Sequence, residues 1–311
     1  SWANVIARRA AIAEAVGAAL ADEPADVVVT QRQSAPAAIA AAGGPSLLLL
    51  PNYESLCRYA FDAGSACGAT RDCVRCPRAR ALPDAEATRL RVARTESDRA
   101  LASATVLLAP SEAVAAAVER WCGRRPDVVP PVSGAPDLAH PPRAGGHVLL
   151  AAETWSANEG ADLLAPLVAA LPDREFVITP LGLDDDARRA VGAAGNVWFL
   201  EAPIERVLDG ASVCLVPSRW AQPFGRIAFE AQATGVPVLA SAVGGLVEVV
   251  PEEALLAPEA TPKRWAAAVR ALEPVDAWRA ASYRAHAAAE AMLATRPLER
   301  AIGVVEAAAA G

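Results

Sequence analysis

At 311 residues the chain is too long for one small core and suits two domains of ordinary size. A formal net charge of −7 argues against nucleic acid as the main partner, because neutralising phosphates needs a basic face. No apolar run approaches the roughly 18 to 20 residues that cross a bilayer, so the expectation is a cytoplasmic protein without a membrane span.

The first segment carries Arg8 and Arg9 ahead of an alanine-rich stretch. Glu14 interrupts that stretch, and Trp2, Ile6, Ile12, Val16 and Leu20 fall near helical spacing, so an amphipathic helix fits better than a secretory leader. Short bounded apolar runs follow at 26–30 (DVVVT), 46–50 (SLLLL) and 105–109 (TVLLA), the pattern of strands buried on both faces of a parallel sheet. Helices are predicted at 84–103 and 111–121, the second with Ser111 as its N-cap. Residues 130–146 are rich in proline and glycine and read as a linker.

Beyond the linker the alternation restarts. Strands are predicted at 147–151, 175–179, 196–200, 212–216 and 236–240, and helices at 159–171, 184–193, 203–210, 225–234 and 261–272. The fold class is therefore α/β, with two Rossmann-like doubly wound domains facing each other across a cleft. The domains are expected at 1–145, including the linker and a cysteine-rich loop at 57–76, and at 146–311, including the C-terminal helices. Only about three strands are legible in the first, which reads as a reduced domain, completed by a homo- or hetero-oligomeric partner or shortened by nature. Ligands of such sheets sit beyond the carboxyl ends of the strands, so the loops after 216 and 240 are expected to line the cleft.

Those loops hold Pro217-Ser218, Gln222-Pro223-Phe224-Gly225, Glu230-Ala231, Gly235-Val236-Pro237-Val238, and Gly244-Gly245 with Glu248. In this order and spacing they resemble the retaining glycosyltransferases of family 4, which have the GT-B architecture, most strongly over 196–256. The resemblance implies transfer of a sugar from a nucleotide-sugar donor to an acceptor with retention of configuration, and without a catalytic cofactor. It implies that Glu230 holds the nucleotide ribose and that Gln222 contacts the donor sugar, making these two the catalytic candidates. Gly225 opens a helix whose free N–H groups and dipole suit a diphosphate, and Gly244 and Gly245 would allow a second close approach of backbone to phosphate. Ser218, Arg219, Pro223, Phe224 and Arg226 complete the expected donor-binding set, with both arginines able to fork onto phosphate or to pair with nearby acids.

The chain departs from the family pattern at several positions. A glutamate stands at position 222 in most members, whereas Gln222 keeps an acceptor, adds a donor and loses the charge. The family's arginine and lysine slots after the first strand of the second domain hold Thr154 and Glu159, and Glu159 would repel a diphosphate that it faced. The loop after SLLLL reads Pro51-Asn52-Tyr53, without the family's histidine. These departures keep open an alternative: a non-catalytic relative that binds a nucleotide or sugar as a partner subunit. A sugar-nucleotide epimerase of the same fold is disfavoured, because the several acid/base groups it needs are not found.

Cys57, Cys67, Cys73 and Cys76 crowd into one loop, and similar cysteine-bearing loops occur in some members of the family. They fit a closed tetrahedral thiolate zinc site that staples the loop, or plain reduced thiols. A redox pair is disfavoured because Cys73 and Cys76 do not open a helix after a strand. Cys122 and Cys214 read as packing residues, and His140, His147 and His286 lack ligand spacing, so no catalytic metal is expected.

Overall fold

The computed structural model describes residues 2–31, 35–53, 56, 80 and 82–310. The four clustered cysteines, Cys57, Cys67, Cys73 and Cys76, lie outside the described residues. The chain divides into two compact units, Ser1–Pro130 with Pro297–Gly311, and Pro131–Arg296.

The first unit runs α1 (Trp2–Asp22), β1 (Val28–Gln31), α2 (Ala35–Ala42), β2 (Ser46–Leu49), α3 (Asp84–Ser103), β3 (Val106–Ala109), α4 (Glu112–Cys122) and β4 (Asp127–Val128), and is closed by α12 (Pro297–Ala309). Its sheet is parallel throughout, in the order β1-β2-β3-β4. Along α1, Ile12, Val16 and Leu20 form a half-buried stripe at helical spacing. The two central strands, β2 and β3, are covered on both faces, whereas β1 is an edge strand whose Val29 is 47% exposed, against the expectation that the run 26–30 is buried on both faces. Leu48 and Leu107 pack with Ile39, Leu101, Val114 and Trp121, while their neighbours Leu47 and Leu108 pack with Val129 and with Ala301, Val304 and Val305. Helix α4 begins as its sequence dictates, with the Ser111 hydroxyl accepting from the Val114 amide at 3.2 Å.

Three expectations are corrected here. A fourth, two-residue strand follows the three legible ones; two residues carry too little apolar pattern to be read as a strand. The C-terminal helix α12 belongs to the first unit rather than the second, because it covers the otherwise open face of Leu47 and Leu108, and Arg300 donates to the Val128 carbonyl at 2.8 Å. Most of the expected linker belongs to the second unit, running largely exposed along it and pinned at a few points. Val132 is buried in its core, Leu138 packs beside it, and His140 Nδ1 lies 3.0 Å from the Asp209 carboxylate.

The second unit runs β5 (His147–Leu150), α5 (Ala161–Ala170), β6 (Phe176–Ile178), α6 (Asp185–Gly192), β7 (Val197–Phe199), α7 (Ile204–Leu208), β8 (Ala211–Val216), α8 (Arg226–Ala233), β9 (Val238–Ser241), α9 (Leu246–Val249), β10 (Leu255–Leu256), α10 (Pro262–Arg270) and α11 (Val275–Leu293). Its sheet is parallel, in the order β10-β9-β8-β5-β6-β7. All six residues of β8 are buried, as expected of a central parallel strand with helices on both faces. The chain leaves β5 toward β6 and β7, then returns to β8 on the other side of β5. That reversal is a topological switch point, where loops diverge and leave room for a ligand.

Candidate functional site

Three loops of the second unit converge at the switch point: 151–160 after β5, 217–225 after β8 and 242–245 after β9. Glycine is what lets them touch. Gly160 has φ +79°, and a Cβ there would overlap the Pro217 carbonyl oxygen. A Cβ on Gly245 would sit 2.6 Å from Phe224 Cα, and its amide donates to the Gln222 carbonyl at 2.7 Å. The Arg219 amide donates to the Asn158 carbonyl at 2.7 Å, which ties the first loop to the second.

Helix α8 starts inside this convergence. Gly225, at φ +100°, precedes it with no side-chain cap on the first-turn N–H groups. Phe224 and Phe229 are buried beneath, their ring centroids 6.3 Å apart, and anchor the helix start to the core. Glu230 comes one turn further on. Its side chain is mostly buried, and its Oε2 is buried with no hydrogen-bond partner among the described residues. Burial pushes its carboxyl above the usual carboxylate range, against the opposing pull of Arg226.

The structure brings the predicted donor-binding residues together in these loops, but it pairs their charges locally. Arg226 Nη2 lies 3.2 Å from Glu153 Oε1, and its Nη1 lies 3.5 Å from Glu230 Oε1. Arg219 lies 2.7 Å from the Asp162 carboxylate. Ser218 is fully buried, and its hydroxyl donates to the Trp220 carbonyl at 3.2 Å. Thr154 is exposed and its hydroxyl donates to the carbonyl of Glu153.

Glu159, which would repel a diphosphate that it faced, has neutral hydrogen-bond partners within the site. Its Oε1 accepts from Trp220 Nε1 at 2.6 Å and its Oε2 from Gln222 Nε2 at 3.0 Å. Burial raises its carboxyl above the ordinary range, and the hydrogen bonds from Trp220 and Gln222 pull it partly back. Both oxygens are thus committed to the site's own donors. Trp220, Glu153 and Asp162 were not legible as site residues, because each gains its partner from a loop distant in sequence.

Residues 146–273 match the model of the family described as "Glycosyl transferases group 1". The chain is 34% identical over 183 residues to the D-inositol 3-phosphate glycosyltransferase of Segniliparus rotundus, covering 56% of this chain and 35% of that protein. It is 34% identical over 197 residues to the enzyme of that name from Rhodococcus opacus, covering 61% and 39% respectively. The chain therefore spans well under half the length of these relatives. Among solved structures it superposes on Anabaena HepE in complex with UDP-glucose with a TM-score of 0.69 at 19% identity, covering 94% of this chain and 82% of that one. It also superposes on sucrose-phosphate synthase from Thermosynechococcus elongatus, with a TM-score of 0.65 at 21% identity, covering 94% and 77%. The fold is GT-B, with two parallel-sheet Rossmann-like units, and the unit that holds the candidate site is the one that matches the glycosyl transferases group 1.

Proposed function

We propose that this chain acts in a glycosyltransferase, binding a nucleotide-sugar donor at the switch point of its second unit and transferring the sugar with retention of configuration, in the manner of family 4. The observation that supports this best is Glu230. A mostly buried carboxylate with one unpartnered oxygen, one turn from an uncapped helix start, is an acceptor waiting for hydroxyl donors beside a seat for phosphate. In this reading the ribose hydroxyls donate to Glu230, the diphosphate takes the first-turn amides of α8 with Arg226, and Gln222 meets the sugar. Ser218, Pro223 and Phe224 shape the floor, and Gly244 and Gly245 keep the facing wall thin.

Calorimetric titration with UDP, GDP and ADP and with their glucose conjugates tests the binding step. Donor hydrolysis followed by NMR of the released sugar then tests the chemistry, with retention of the anomeric configuration expected. The second reading, a non-catalytic nucleotide- or sugar-binding subunit, is favoured by two specific observations: both site arginines are already paired with carboxylates, and position 222 is an amide. Binding without any hydrolysis or transfer, in the presence of sugar-alcohol and sugar-phosphate acceptors, would select it.

A further inference from the structure

The contacts of Glu159 decide more than its own charge. A carboxylate only accepts hydrogen bonds, so the end of the Gln222 amide that faces it at 3.0 Å is the NH2 end. The Gln222 backbone is held as well, because its carbonyl accepts from the Gly245 amide at 2.7 Å. The amide's Oε1 has no protein donor among the described residues, and the side chain is half-buried, within reach of a ligand. A glutamine without such a neighbour turns either end to a ligand with similar ease. Trp220 Nε1, on the other carboxylate oxygen at 2.6 Å, keeps Glu159 from rotating away.

We propose that Glu159 is a positioning residue that fixes the Gln222 amide with its carbonyl oxygen left for the ligand, so that the site offers a neutral acceptor to a hydroxyl of the donor sugar. The same contact accounts for an amide at position 222. A carboxylate there would stand beside the Glu159 carboxylate, and two like charges at that distance in a half-buried site oppose each other. The inference rests on the proposed function, since it assigns Gln222 to the sugar.

The test is a double-mutant cycle on the whole chain, with UDP and UDP-glucose as probes, or the GDP or ADP pair if that pair binds instead. Glu159→Ala and Gln222→Ala should each weaken the glucose conjugate by about three- to tenfold while leaving the nucleotide's own affinity within about twofold. The double variant should be no weaker than either single one, because Glu159 acts through Gln222. Glu159→Gln, which keeps the shape and one acceptor for Trp220, should lose less than Glu159→Ala. Gln222→Glu should lower the unliganded melting temperature, and adding Glu159→Gln should recover it by restoring one carboxylate facing one amide. Losses that multiply in the double variant, equal losses for nucleotide and conjugate, or an unchanged conjugate affinity in Glu159→Ala would each overturn the inference while the proposed function stands. Wild-type protein that binds none of the nucleotides or conjugates would overturn the proposed function and the inference with it.

Discussion

Arg226 Nη1 lies 3.5 Å from Glu230 Oε1, four residues along the same helix, at the point where α8 opens into the loop cluster. The guanidinium is more than half exposed while the carboxylate is mostly buried, so the pair sits on the boundary between core and solvent. A phosphate arriving at the helix start would compete with Glu153 and Glu230 for Arg226. Ribose hydroxyls would in turn compete with Arg226 for Glu230.

Arg226→Ala should weaken a nucleoside diphosphate much more than the corresponding nucleoside, by about 1.5 to 3 kcal/mol for a charge-assisted contact. The unliganded protein should change little, because the Glu153 contact is exposed and such pairs contribute little. Calorimetry with both ligands on wild type and variant separates the cases. Equal losses for the two ligands would make Arg226 a pocket-shaping residue only.

Glu230→Ala should abolish nucleotide-induced stabilisation and leave the unliganded melting temperature nearly unchanged. The native carboxylate already carries a buried oxygen without a partner, so its removal relieves a cost as well as losing a contact. A thermal-shift series with and without nucleoside diphosphate measures both quantities. A variant that unfolds without ligand would make Glu230 structural.

Nucleoside binding should depend on pH through Glu230, whose carboxyl burial raises, with Glu153 and Glu205 adding to the rise and Arg226 opposing it. Ribose hydroxyls donate best to the ionised carboxylate. Binding should therefore strengthen as pH rises through the raised value and weaken as pH falls through it. For stability the sign is opposite: a raised native value means the folded state holds its proton more tightly than the unfolded chain. Ionised Glu230 thus subtracts from stability at neutral pH, and the penalty fades as pH falls toward the ordinary glutamate value. Titrating uridine, which lacks phosphates of its own, across pH 4 to 8 should show this slope in wild type and a flat response in Glu230→Gln.

Gly160→Ala should destabilise the second unit by about 1 to 3 kcal/mol from backbone strain alone, with the overlap against the Pro217 carbonyl adding to it. Gly195→Ala is the control, since Gly195 has φ +76° with nothing within 4 Å of an added Cβ. Urea denaturation of both variants isolates the steric part as their difference. Equal losses would mean that the loops after β5 and β8 yield to a methyl group without cost.

The sequence by itself determined the local elements. Runs such as SLLLL and the buried residues of β8 have no exposed face to alternate with, so they read as central parallel strands and fold as such. Ser111 announced the start of α4, and Asp84–Ser103 is helical over the predicted range. The motif from Pro217 to Gly245 carried the candidate site because its glycines are required locally, where two loops pass within contact distance. Tertiary structure alone decided which charges meet. Arg219 finds Asp162, Arg226 finds Glu153, and Gln222 finds Glu159 across 63 residues of chain; the last turns an apparent repulsive charge into the group that orients an amide. It also decided that α12 returns to the first unit, because the face it covers belongs to Leu47 and Leu108, which no periodicity within the helix can name. Periodicity reports which side of an element is apolar, whereas pairing depends on which loops the strand order brings side by side.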